Sequence, residues 1–482
     1  MEKPSIKKNF LFRLVFDTVS LIIPIITTPY VARTLGPDGC GIYSYTQANI
    51  TYFVLFAVLG TYSYGLRTIS RNRDNKKEYS KLFWEIELLT VITSIFSMLA
   101  FFVFYLFVNE YNMYYLVLSM LIVSALLDIS WFYTGLERIG YITGVNIVIK
   151  TIGMISIFAF VKDSNDLFVY FLINSLMQVL SNLAMWIFTP KFLVKVSIRE
   201  LHIFRHFKDT LIFFIPTIAI SIYTVLDKTL IGVITKETSQ NGYYDKATQL
   251  INIIKTFVFS SMGMIMGART SYLFAENKLQ EVKDKINLTM DYIVFLAIGC
   301  GFGILAVSDT FIPLFLGDKF EGSISLLKLM TPLIFIVGIS NCLGSLYYSP
   351  VGKRRISARF IIIGSITNLL FNLLLIPRFG ATGATVGTII AESVISVLYL
   401  SFCDKYFTYK QLLLISYKKV IAGVLMFGIV FLIGLIPSNA YVVTILQIVL
   451  GGTAYTLLLV LFRDSIVKIS FGLIKNTFKR PS

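Results

Sequence analysis

Apolar stretches of about 20 residues, the length a helix needs to cross a ~30 Å hydrocarbon core, recur fourteen times along this 482-residue chain. They fall at roughly 11–33, 42–66, 82–108, 113–134, 141–161, 167–189, 210–234, 244–268, 290–308, 324–349, 357–377, 383–402, 418–436 and 441–462. Backbone in lipid must satisfy its own donors and acceptors, so runs of this length read as transmembrane helices. With 56% hydrophobic and 15% charged residues, the chain is too apolar to divide into water-soluble cores. An all-α integral membrane protein with fourteen transmembrane helices is expected.

The start, MEKPSIKKNFLFRLVF, has the basic flank of a signal peptide. The run that follows is too long, holds Pro24 and Pro29, and lacks a small-residue cleavage site, so it reads as a retained first helix. Cys40, Cys300, Cys342 and Cys403 stand singly with no metal or disulfide spacing, and read as small buried hydrophobes. His202 and His206 have i,i+4 spacing but no third ligand nearby; they read as surface histidines, and no metal is expected.

A net charge of +16 suggests nucleic acid until the charges are placed. Most of the 43 Lys and Arg fall in alternate gaps between the apolar runs: the N-terminus, 67–81, Arg138, 191–208, 269–285, 353–359, 405–419 and the C-terminal tail. The other gaps hold only Arg33, Lys162, Lys236, Lys319 and Arg378. By the positive-inside rule both termini are cytoplasmic and an even number of spans is consistent. The charge expresses topology and some attraction to anionic lipid, so no nucleic-acid partner is expected.

The chain repeats weakly. Ile23-Pro24-Ile25-Ile26 is echoed by Ile215-Pro216-Thr217-Ile218, Gly41-Ile42-Tyr43 by Gly242-Tyr243-Tyr244, and Trp131-Phe132-Tyr133-Thr134 by Leu346-Tyr347-Tyr348-Ser349, in the same order. Six helices per repeat, each starting inside, imply two pseudo-symmetric lobes, at 1–205 and 206–410, with residues 411–482 adding two helices and a basic tail. Transporters built on such repeats bind substrate between the halves and rock one against the other. The outer gaps are short, which argues against a membrane polymerase or ligase.

Within Ile220–Ile234 the run carries Asp227 and Lys228 side by side. A charge at membrane depth is costly and is by default a functional hypothesis with a partner to find. Adjacent helical residues point about 100° apart, so each member is expected to have its own partner. Lys150, Lys255, Asp128 and Glu392 also fall within or beside the apolar runs.

Several stretches, taken in order, resemble the Wzx-type flippases for O-antigen and capsule repeat units. These belong to the polysaccharide biosynthesis proteins of the multidrug/oligosaccharidyl-lipid/polysaccharide (MOP) exporter superfamily. The stretches are TTPYVARTLGPDGCGIYSY (27–45), DISWFYTGLERIGYIT (128–143), IYTVLDKTLIG (222–232), GYYDKATQL (242–250) and NLLFNLLLIPRFGATGATVGTIIAES (368–393). One departure is Met266-Gly267-Ala268-Arg269, where the family usually has a proline before the arginine, which puts a kink there in question.

The resemblance implies alternating-access transfer of an undecaprenyl-pyrophosphate-linked oligosaccharide across a bacterial cytoplasmic membrane, from inner to outer leaflet. It also implies a cavity lined chiefly by the first, second, seventh and eighth helices. On those helices Arg67, Arg269, Lys255, Lys228, Lys246 and Arg33 would form a ladder of positive charge for the pyrophosphate. Asp227, Lys150, Glu392 and Asp128 would support or couple, while Gln47, Asn49 and Tyr43 would contact sugar. No cofactor or nucleotide-binding loop is found, so coupling to an H⁺ or Na⁺ gradient is expected. The implied partners are membrane lipid and, further on, a polysaccharide polymerase with its chain-length machinery. A multidrug antiporter or a lipid II flippase of the same superfamily is the rival; the antiporter would want acidic rather than basic central charge.

Overall fold

The computed structural model describes residues 6–467. Among them the protein is helical with connecting turns and no strand. It divides into two compact units, Met1–Gly242 and Tyr243–Ser482. The boundary lies beyond the 205/206 division between repeats, because the helix that opens the second repeat packs on the first helix of the chain.

In the first unit the helices are α1 (Ile6–Val58), α2 (Thr61–Asn72), α3 (Lys76–Phe107), α4 (Asn112–Leu118), α5 (Met120–Leu126), α6 (Ser130–Gly135), α7 (Ile139–Phe160), α8 (Leu167–Trp186) and α9 (Phe207–Thr235). Helix α10 (Thr238–Ala275) starts in this unit and continues into the second. It runs unbroken through Met266–Arg269, so the missing proline leaves no break in the helix. The second unit adds α11 (Leu279–Leu316), α12 (Gly322–Met330), α13 (Pro332–Leu343), α14 (Arg354–Ser401), α15 (Tyr409–Gly434) and α16 (Ala440–Leu461).

Ten helical stretches among the described residues are long and apolar enough to cross a membrane. Two of them, Thr18–Asn72 and Arg354–Ser401, each contain two of the apolar runs. The joints are at glycines. Gly36 has φ 70° and ψ 179°, a conformation open to glycine and costly for any residue with a Cβ. Pro37 follows at the first turn of the next helical segment, where its missing N–H costs nothing. Gly380 (φ 55°, ψ −132°) plays the same part inside α14.

The runs 113–134 and 324–349 differ from the single helices expected. The first is divided into α4, α5 and α6, and the second into α12, α13 and a π turn at Gly344–Tyr348. At Thr331-Pro332 the proline opens a new helix because it cannot donate to the preceding turn. At Leu127–Asp128 the helix stops, and the Asp128 carboxylate accepts the Ser130 N–H at 2.9 Å.

The core of the first unit is aromatic. Trp131, Phe132 and Tyr133 are fully buried with Phe83, Ile69 and Ile86, and the Phe83 and Trp131 rings stack 5.6 Å apart. Tyr347 and Tyr348, their echo in the second unit, are also fully buried. The likeness extends to the backbone. Arg138 N–H bonds the Tyr133 carbonyl at 2.8 Å, and Lys353 N–H bonds the Tyr348 carbonyl at 2.9 Å. Each bond closes over a left-handed residue, Glu137 (φ 58°) or Gly352 (φ 82°), the six-to-one closure of a Schellman cap.

Lys419 corrects the placement of one loop cation. It is fully buried on α15, with Nζ 2.6 Å from Asp291 on α11 and 3.0 Å from Asp464 beyond α16. Ser465 donates to the other Asp291 oxygen at 2.7 Å. One lysine between two carboxylates ties these three helices at the end that bears the basic loops. All four cysteines are free thiols, and three of them are buried.

Candidate functional site

The central pair lies on α9, where that helix packs on α1. Asp227 is buried, while Lys228, the next residue and so about 100° round the helix, is only partly covered. The Asp227 charge acts on Tyr52, which stands on the second segment of α1. Thr229 completes the contact by donating its hydroxyl to Asn49 Oδ1 at 3.0 Å, and the Tyr52 hydroxyl lies 3.4 Å from the same Thr229 oxygen. The Asn49 amide donates in turn to the Tyr115 hydroxyl of α4 at 2.7 Å. Asp227 and Lys228 each make further polar interactions. Thr229 thus ties α9 to α1 and α4 through a four-residue network of Thr229, Asn49, Tyr52 and Tyr115, and Lys228 lies about 100° round the helix from it.

Two of the expected sugar contacts have partners within the unit. Asn49 uses both ends of its amide within the unit. Tyr43 sits edge-on between the rings of Tyr170 and Phe171 of α8, each 4.9 Å away. Gln47 is only partly covered. Thr229 was not singled out in sequence; a lone threonine beside a charged pair gives no periodic signal.

Of the remaining cations of the first unit, Arg33 and Arg67 lie near helix joints or ends and Lys150 lies midway along α7. Arg33 is exposed close to the Gly36 joint. Arg67 is exposed on α2, with its guanidinium 6.0 Å from the centre of the Phe213 ring on α9. Lys150 on α7 donates to the Ser20 hydroxyl of α1 at 3.1 Å and lies 5.0 Å from the centre of the Phe16 ring.

In the second unit, Lys246 is buried with its ammonium 3.3 Å from Asp245. Lys255, two and a half turns further along α10, is partly buried and feels the charge of Glu392 on α14. Glu392 is itself buried. Arg269 is exposed, 6.0 Å from the Tyr272 ring. Lys228 and Lys255 are therefore both partly covered cations, and the carboxylates that accompany them, Asp227 on the same helix and Glu392 on α14, are buried.

Where α1 restarts after Gly36, it crosses the start of α10. A Cβ on Gly41 would sit 1.7 Å from the Thr238 carbonyl oxygen, and one on Gly242 would sit 2.0 Å from that of Pro37. Each glycine meets the carbonyl four residues before the other. Backbones approach this closely only where neither has a side chain. The Thr238 hydroxyl closes the crossing by donating to Asp38 at 2.5 Å. The sequence echo of Gly41 and Gly242 is thus a contact between equivalent points of the two repeats.

A second polar cluster, at the basic-loop end, corrects the reading of the histidines. His202 is exposed, but His206 is buried. The Glu85 carboxylate of α3 accepts the His202 backbone N–H at 2.7 Å, Arg205 at 2.5 Å and His206 Nε2 at 2.8 Å. The Tyr64 hydroxyl lies 2.6 Å from His206 Nδ1. The tautomer with its proton on Nε2 satisfies both bonds. Sequence reading missed Glu85 because its partners lie well over 100 residues away.

Burial holds the His206 imidazole below its ordinary range, with Glu85 acting against it. A histidine with a lowered folded pKa withdraws stability as pH falls from the unfolded value of 6.5 toward the folded one. Purified protein should therefore melt at a lower temperature as pH drops below that value, and His206→Gln should flatten the dependence. An unchanged slope in His206→Gln would contradict the assignment. Among the described residues no three His, Cys, Asp or Glu side chains gather as a metal site.

Residues 6–265, more than half of the chain, match the model of the polysaccharide biosynthesis protein family. The chain belongs to that family. Among curated relatives, a putative O-antigen transporter of Escherichia coli (strain K12) is 23% identical over 411 residues, spanning 83% of this chain and 97% of that protein. A probable low-salt glycan biosynthesis flippase, Agl15 of Haloferax volcanii, is 24% identical over 50% of this chain and 51% of its own length. Of solved structures, the lipid II flippase MurJ in an inward closed conformation superposes with a TM-score of 0.75. That match covers 95% of this chain and 100% of that one, at 17% identity. An inward-facing MATE multidrug transporter of the MOP superfamily gives a TM-score of 0.61 at 13% identity, over 79% and 92%. The family member described here thus shares its fold with a lipid II flippase and a multidrug resistance MATE transporter.

Proposed function

We propose that this chain is a flippase that moves undecaprenyl-pyrophosphate-linked oligosaccharide repeat units from the inner to the outer leaflet of the bacterial cytoplasmic membrane, with both termini cytoplasmic. The observation that carries this reading is the charge at membrane depth. Lys228 and Lys255 are cations left half-covered, while the carboxylates beside them, Asp227 and Glu392, are buried. A pyrophosphate crossing a low-dielectric slab needs such positive groups; an organic cation would need the reverse. The relatives named O-antigen transporter and glycan biosynthesis flippase support the substrate class.

Translocation would proceed by alternating access of the two repeats, with Arg67, Arg269, Lys246 and Arg33 as outlying rungs and Gln47 as a sugar contact. In the host, deletion of the gene should remove surface polysaccharide and leave lipid-linked repeat units on the cytoplasmic face. Unpolymerised units on the outer face instead would favour a polymerase. Death of the host would favour a lipid II flippase.

A further inference from the structure

Glu87 stands two residues after Glu85 on α3 but lies in a different environment. Its side chain is buried at 3% exposure, and neither carboxylate oxygen has a hydrogen-bond partner among the described residues. Seven residues further along the same face, the Ser94 hydroxyl is also buried without a partner. A carboxylate sealed from water with no donor and no counter-charge costs several kcal/mol, and the group relieves this by taking up a proton.

Asp128 is the acidic group that stands beside Glu87. Asp128, at the break between α5 and α6, is the charge that acts on Glu87. It keeps its own carboxylate on the Ser130 N–H. Among the described residues no cation hydrogen-bonds to either Glu87 oxygen. Arg205 and His206 are taken by Glu85, Arg73 pairs with Glu137, Arg67 lies over Phe213, and Arg71 is exposed.

We infer that Glu87, with Asp128 beside it, is a proton-binding site inside the first unit, occupied by one proton in this state. The equilibrium is simple: a proton from water adds to the Glu87 carboxylate to give the neutral acid, and leaves by the same route when the pocket opens. Resting on the flippase reading above, the same proton couples transport to the proton gradient. Any motion of α3 against α5 that wets Glu87 releases it.

The test is the infrared carbonyl band of a protonated carboxyl, recorded on the full chain in lipid. Wild type should show the band at neutral pH, and Glu87→Gln, which mimics the protonated acid in shape, should lose it without a fall in melting temperature. Asp128→Asn should keep the band, because the proton sits on Glu87. Absence of the band in wild type, its survival in Glu87→Gln, or its replacement by sodium-dependent changes would overturn the site. In vesicles that flip lipid-linked glycan, Glu87→Gln should no longer respond to an imposed proton gradient; a full response would overturn the coupling. A band that behaves as expected in a chain that moves no glycan would overturn the flippase reading and leave the proton site standing.

Discussion

Lys228→Ala should sharply reduce surface polysaccharide while the chain reaches the membrane at its normal level. The reason is geometric. Thr229 ties α9 to α1 through Asn49 and Tyr52, whereas Lys228, about 100° round the helix, is only partly covered. On the proposed function, its loss removes a positive contact for the anionic substrate. A hydrogen bond to a charged group contributes about 1.5–3 kcal/mol, so one lost rung slows passage roughly ten- to hundredfold. Lys228→Arg should keep part of the activity because it keeps the charge.

Lys255→Ala should fail equally, but it also leaves Glu392 with less compensation. The pair Lys255→Met with Glu392→Gln restores the local balance and should recover membrane levels without recovering polymer. Normal surface polysaccharide in Lys228→Ala or Lys255→Ala, scored by immunoblot beside chain abundance, would contradict the assignment.

The second large effect is expected at the crossing of Gly41 and Gly242. If the repeats move apart there during transport, a covalent tie across the contact stops them. Asp38 and Thr238 already touch at 2.5 Å, so Asp38→Cys with Thr238→Cys should form a disulfide on oxidation. Transport should then cease and return on reduction, with neither single variant sensitive to oxidant. Gly41→Leu and Gly242→Leu should act in the opposite sense, since a side chain cannot fit beside the facing carbonyl. Either should hold the crossing open and lose transport.

Much of this architecture was legible in sequence. The spacing of apolar runs and the alternation of basic gaps needed only composition and order, and the echo of Trp131–Thr134 in Leu346–Ser349 proved to be one cap geometry used twice. The breaks at Leu127–Asp128 and Thr331-Pro332 were hidden, because apolar sequence does not distinguish a long helix from short helices in series. The site was less legible. Depth along a helix can be counted, so Asp227, Lys228 and Lys255 stand out in sequence as charges within apolar runs. Facing cannot be counted. Tyr43 and Asn49 proved to be committed to α8, α4 and α9, while Glu87, His206 and Lys419 acquired their environments from residues remote in the chain.

The most direct measurement reconstitutes the purified chain in vesicles loaded with a lipid-linked oligosaccharide and follows the fraction of sugar that becomes accessible from the opposite face. The account predicts a rise that depends on the chain, is sharply reduced in Lys228→Ala, and is reversibly stopped by oxidising the Asp38→Cys/Thr238→Cys variant. Accessibility that is no greater with the chain than without it, or that continues unchanged in Lys228→Ala, would contradict it.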